Sequence, residues 1–83
     1  MTRDETLNKL TEVFRSIFDD DSIVLTPGTT ANDIEEWDSL NQIKIILAAQ
    51  QAFKLKLNAR KIDELKNVGE MVDYLLAEAQ RQA

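Results

Sequence analysis

This sequence predicts an all-α fold: three longer helices, one short one, and a long loop between the first two. Three observations predict it. Apolar residues recur at spacings of three and four from Leu7 to Phe18 and again from Val68 onward. Gly and Pro number only two and one. Cap-forming Ser39 and Asn67 stand where the later helices would begin. With 83 residues, 43% of them hydrophobic, the chain is expected to form one domain, residues 1–83, around one modest core.

Leu7, Leu10, Val13, Phe14, Ile17 and Phe18 fall on one stripe of a helix expected from Thr2 to Phe18. Asp19, Asp20 and Asp21 bring negative charge to a helix end that already carries partial negative charge, so the helix should stop there. Ser22 to Trp37 reads as a loop turning at Pro27-Gly28, with Val24, Leu25 and Ile34 as the residues that pin it across the bundle. A second helix is expected from Ser39 to Phe53. Its apolar residues Leu40, Ile43, Ile45, Ile46, Leu47 and Phe53 spread over most of the circumference, which predicts a central helix touching several neighbours. Lys54 to Asn58 reads as a short connection, and Ala59 to Leu65 as one or two helical turns. Asn67 caps a last helix carrying Val68, Met71, Val72, Leu75, Leu76 and Ala79.

The chain has neither cysteine nor histidine. Disulfides, thiolate nucleophiles, the common zinc ligands and the usual general base are all excluded, and catalysis by the chain itself becomes improbable. Asp19-Asp20-Asp21 lacks the spaced ligands and glycine of a calcium loop and reads as solvated charge. No apolar segment approaches the length of a membrane span and none follows the N-terminus as a leader would, so the expected compartment is the cytoplasm. A net charge of −5 argues against nucleic acid and anionic membrane surfaces and for protein partners. That charge is uneven: residues 1–38 hold ten acids and three bases, residues 39–83 five acids and seven bases.

One segment carries chemistry. Ile34-Glu35-Glu36-Trp37-Asp38-Ser39-Leu40 sits where the loop meets the second helix, and a phosphodiester on the Ser39 hydroxyl would lie at the positive end of the helix dipole. Two readings compete. Ser39 with Gln42 fits an S-x-x-Q capping box, which makes the serine structural; with Asp38 as the cap instead, the hydroxyl is free to accept a group. The residues alone leave both open.

The run Trp37-Asp38-Ser39-Leu40-Asn41-Gln42-Ile43-Lys44-Ile45-Ile46-Leu47, followed by Phe53 and by Leu65-Lys66-Asn67-Val68-Gly69-Glu70-Met71-Val72-Asp73-Tyr74-Leu75, resembles the acyl carrier proteins of the phosphopantetheine-binding family over nearly the whole chain. The resemblance implies a four-helix bundle of the acyl-carrier type. It implies a phosphopantetheine arm, transferred from coenzyme A to Ser39 by a holo-carrier-protein synthase (a phosphopantetheinyl transferase), with Asp38 and Leu40 as recognition neighbours. It also implies a thioester-bound cargo and no catalysis by the chain, so the arm supplies the thiol that the sequence lacks. A loading ligase or acyltransferase and cargo-using enzymes are the further partners, and a monomer is expected.

The second helix departs from the family's fatty-acid carriers, which usually place acids there. Asn41, Lys44, Gln50 and Gln51 occupy the corresponding positions, with no acid after Asp38. A specialised carrier is the reading that follows, with Glu35, Glu36, Ile43 and Lys44 as docking residues. Ile43, Ile46, Leu47, Ile62, Leu65, Val68 and Met71 are the candidates for a cargo cleft, core packing being the simpler assignment for each. Trp37 is expected to pack and set the entry angle of the helix. Cargo stays open among fatty acyl, polyketide, aminoacyl and D-alanyl groups. The competing function is a small helical adaptor in which Ser39 only caps.

Overall fold

The computed structural model describes residues 2–82. Four α-helices order it: α1 (Arg3–Phe18), α2 (Ser39–Phe53), α3 (Ala59–Asp63) and α4 (Val68–Gln82), with a single 3-10 turn at Ala31–Asp33 and no strand among the described residues. Thr2 begins α1 through a capping box with Glu5: the threonine oxygen accepts from the Glu5 amide at 3.1 Å, and the Glu5 carboxylate accepts from the Thr2 amide at 2.9 Å. At the other end Asp19 turns left-handed (φ 49°) and closes the last turn. The short helix is tighter than the sequence suggests. It ends at Asp63 rather than Leu65, because the Glu64 and Leu65 amides close turns onto Lys61 and Ile62 at 3.2 and 3.0 Å.

Leu10, Phe14, Ile45, Ala49, Phe53, Ile62, Val68, Met71, Val72 and Leu75 form the core. The hub is not α2. α1 packs against both α2 and α4, while α2 meets α1 and the short α3. Only Ile45, Ile46, Ala49 and Phe53 of α2 are buried, so the apolar residues spread around it leave one side uncovered.

The long loop is tied down by polar contacts more than by the three apolar residues expected to pin it. Leu25 is buried and Ile34 half-buried, but Val24 is 71% exposed and pins nothing. Arg15 Nε instead donates to the Ile23 carbonyl at 2.8 Å. Thr26 and Thr29 bond to each other, and the carbonyls of Pro27 and Thr29 accept from Gly69 N–H and Val68 N–H, both at 2.8 Å. The loop backbone thus serves the first amides of α4, groups that lack partners within the helix.

That contact needs Gly69. A Cβ there would stand 2.8 Å from the Pro27 carbonyl oxygen, a backbone atom that cannot rotate away. Overpacking of about 1–3 kcal/mol outweighs a helix-propensity gain of at most about 1 kcal/mol. Gly69→Ala is therefore expected to lower the unfolding midpoint and speed amide exchange at Val68, and an unchanged midpoint would show that the loop yields freely.

Hydrogen bonds from Thr2, Ser22 and Arg81 hold the Glu5, Asp20 and Glu78 carboxyls below their ordinary values of 4.5, 3.8 and 4.5. A depressed folded-state pKa adds stability above the unfolded value and loses it as pH falls through the folded one. Stability is expected to decline as the pH drops below the ordinary carboxylate values. For Glu5→Gln, which cannot titrate, the decline should be shallower in denaturant melts across that range.

Candidate functional site at the head of the second helix

Ser39 is the first residue of α2, and the turn before it decides what it is free to do. Trp37 N–H donates to the Ile34 carbonyl and Asp38 N–H to that of Glu36, each at 3.0 Å, so the chain enters the helix through two tight turns. Asp38 is extended (φ −109°, ψ −175°) and its carboxylate accepts from Asn41 N–H at 2.8 Å. Asp38 is the N-cap. Asn41 reinforces the entry by donating its side-chain amide to the Glu36 carbonyl at 2.7 Å. Gln42, the other half of the capping box open to Ser39, is engaged elsewhere, since its side-chain oxygen accepts from Trp37 Nε1. Ser39 is exposed, and among the described residues its hydroxyl makes no hydrogen bond.

Trp37 does pack: its ring meets Phe14 edge-on at 4.9 Å between centroids, 85° between planes. The indole thus links the helix entry to the core and to Gln42.

Beside Ser39 an open groove of about 610 Å³ runs between α2, α3 and the head of α4. Of the seven cleft candidates, Ile43, Ile46, Ile62, Leu65 and Met71 line it. Leu47 and Val68 do not. Leu47 lies on the outer side of α2, 55% exposed, and Val68 is wholly enclosed in the core under the loop carbonyl of Thr29. Gln42, Asp63, Lys66 and Asn67 also line the groove. Sequence reading passed over these four polar residues; the available signal was Gln42, one turn beyond Ser39 and so on its side of the helix.

Leu40, Ile43 and Leu47, at 64, 57 and 55% exposure, form an apolar stripe running away from Ser39, with Lys44 exposed beside it. Glu35 and Glu36 are exposed on the entry turn and line a separate loop cavity with Asp20 and Asp33. No cluster of potential metal ligands occurs among the described residues, and no helix among them is long and apolar enough to cross a membrane.

An exposed, uncommitted serine at an electropositive helix end fits a phosphodiester, and the family of phosphopantetheine attachment sites matches residues 8–75. The chain belongs to that family, the acyl carrier proteins. Phosphopantetheine is accordingly its covalent cofactor, and carriage, not catalysis, is its work. Among solved structures, the carrier is similar to a holo acyl carrier protein from Geobacter metallireducens, determined by solution NMR. The two are 44% identical with a TM-score of 0.84, over 93% of this chain and 88% of that one. Acyl carrier proteins of Acidothermus cellulolyticus and Rubrobacter xylanophilus are 25 and 28% identical to it, over 90 and 92% of this chain and 89 and 94% of theirs.

Proposed function

We propose that Ser39 is the attachment residue and that the carrier presents a thioester-bound acyl or aminoacyl cargo to the enzymes of a specialised pathway. The observation that carries this reading is the Ser39 hydroxyl, exposed at the head of α2 and relieved of capping by Asp38. In the transfer, Ser39 Oγ bonds to the phosphorus of the pantetheine phosphate as the pyrophosphate link of coenzyme A breaks. Adenosine bisphosphate leaves, and the hydroxyl proton passes to a base of the transferase. The new anion lies at the electropositive start of α2. The arm, when bound, supplies the thiol on which cargo is held.

Asp38 and Leu40 flank the serine and are the neighbours a transferase would read. The stripe of Leu40, Ile43 and Leu47 suits the apolar centre of a docking surface, with Lys44 on one side and Glu35 and Glu36 on the entry turn. Such a surface is mixed in charge. It selects partners that offer an acid to Lys44, which is why the pathway is read as specialised rather than as bulk fatty-acid synthesis. The carrier acts as a cytoplasmic monomer, loaded in trans by a ligase or acyltransferase.

Incubation with coenzyme A and a broad-specificity phosphopantetheinyl transferase, followed by intact-protein mass spectrometry, tests the attachment. A gain of one phosphopantetheine by the wild type and none by Ser39→Ala is expected; a gain by both would move the site. For the pathway, the host's bulk fatty-acid synthase enzymes should use this carrier far less well than their own, and equal use would remove the specialised reading.

A further inference from the structure

Gln42 and Asn67 line the groove from opposite sides, Gln42 one turn past Ser39 on α2 and Asn67 just ahead of α4. Each has its amide oxygen engaged by a partner that can only donate. Trp37 Nε1–H faces the Gln42 oxygen, and Glu70 N–H donates to Asn67 Oδ1 at 2.8 Å. The two ends of an amide side chain are ordinarily interchangeable, but a donor-only partner fixes which end faces it. Both NH2 groups are therefore turned away from those partners. Among the described residues neither nitrogen has a hydrogen-bond partner, and no side-chain polar atom is buried without one, so both nitrogens stay reachable from solvent.

The charged side chains lining the groove are two carboxylates, Asp38 and Asp63, and one ammonium, Lys66, so no surplus cation awaits an anion there. The Asp38 carboxylate is occupied as a cap, and the Asp63 carboxylate faces the same space as the Lys66 ammonium. A neutral acceptor suits such a space better than an ion does, and each amide offers it two N–H donors.

We infer that Gln42 and Asn67 are a preset pair of donors for a carbonyl oxygen borne by the arm, and that Trp37 is the positioning residue for Gln42. The inference rests on Ser39 being the attachment residue. The carbonyl belongs either to the arm's own amides or to the cargo. A bare hydrocarbon chain drawn into the groove would strip water from four N–H groups and leave them unpaired, so the pair discriminates against plain alkyl cargo and favours an oxygenated chain.

The test compares side-chain amide NMR signals of nitrogen-labelled apo, holo, butyryl-loaded and acetoacetyl-loaded protein. Intact mass of each sample records whether the arm and cargo are present. A downfield movement of the Gln42 and Asn67 signals is expected. If it is present already in the holo form, the arm is the source; if it is gained with butyryl, the thioester carbonyl; if gained only with acetoacetyl, the oxygenated chain. In Trp37→Phe, which keeps a ring against Phe14 but has no N–H, the Gln42 response should be lost while that of Asn67 persists. Loaded protein whose two amide signals do not move overturns the donor pair, and an unchanged Gln42 response in Trp37→Phe overturns the role of Trp37. A sample that gains no arm by mass counts instead against Ser39 as the attachment residue.

Discussion

Ser39→Ala is expected to abolish loading completely while leaving the fold as stable as before. The two halves of that expectation have separate causes. Loading fails because alanine has no oxygen to form the phosphodiester. Stability persists because the cap is Asp38, whose carboxylate holds Asn41 N–H at 2.8 Å, and because the Ser39 hydroxyl has no partner among the described residues. Alanine inside the first turn is if anything the better helix former. The midpoint of a denaturant melt should stay within about 0.5 kcal/mol of wild type. Asp38→Ala should behave in the opposite sense, costing about 1 kcal/mol while leaving the acceptor hydroxyl in place. If Ser39→Ala instead cost as much as a lost cap, the serine would share the capping that is assigned here to Asp38.

Phe14→Ala should have the largest effect on stability. Phe14 is 0% exposed and is the largest fully buried side chain in the core. It meets the rings of Phe18 and Trp37 edge-on at 5.9 and 4.9 Å. Deleting it removes both contacts and leaves a cavity against which two helices and the loop entry must collapse. A loss of about 3–5 kcal/mol is expected, a large share of the roughly 5–15 kcal/mol that holds a small domain together. The same change frees Trp37, so its emission should shift red in whatever fraction stays folded. A loss under about 1 kcal/mol would mean that the core repacks around the gap.

The helices were legible because helix periodicity is a local property. The stripe from Leu7 to Phe18 and the run from Val68 to Ala79 each carry enough apolar residues at the right spacing to be read without knowing what they pack against. The start of α2 at Ser39 was equally plain. The cleft was only partly legible: Ile46, Leu47, Val68 and Met71 are all apolar and all on or near the right elements, but which of them faces the groove depends on how α3 and the loop lie across the bundle. Leu47 turned outward, and Val68 was enclosed beneath Thr29.

What this sequence determined by itself was the helix order and the place of a serine at the foot of a dipole, since both follow from neighbours within one or two turns. Tertiary structure alone decided that Asp38 caps and that Gln42 answers Trp37 instead of Ser39. It also decided that the carbonyls of Pro27 and Thr29 finish α4 from across the chain. In each case several partners of equal chemical merit were available to one polar group. For Gln42, the Trp37 ring seated on Phe14 sets where the indole N–H lies, and for α4 the carbonyls come from a loop far back in the chain; contacts between residues so distant in sequence leave no local pattern to read.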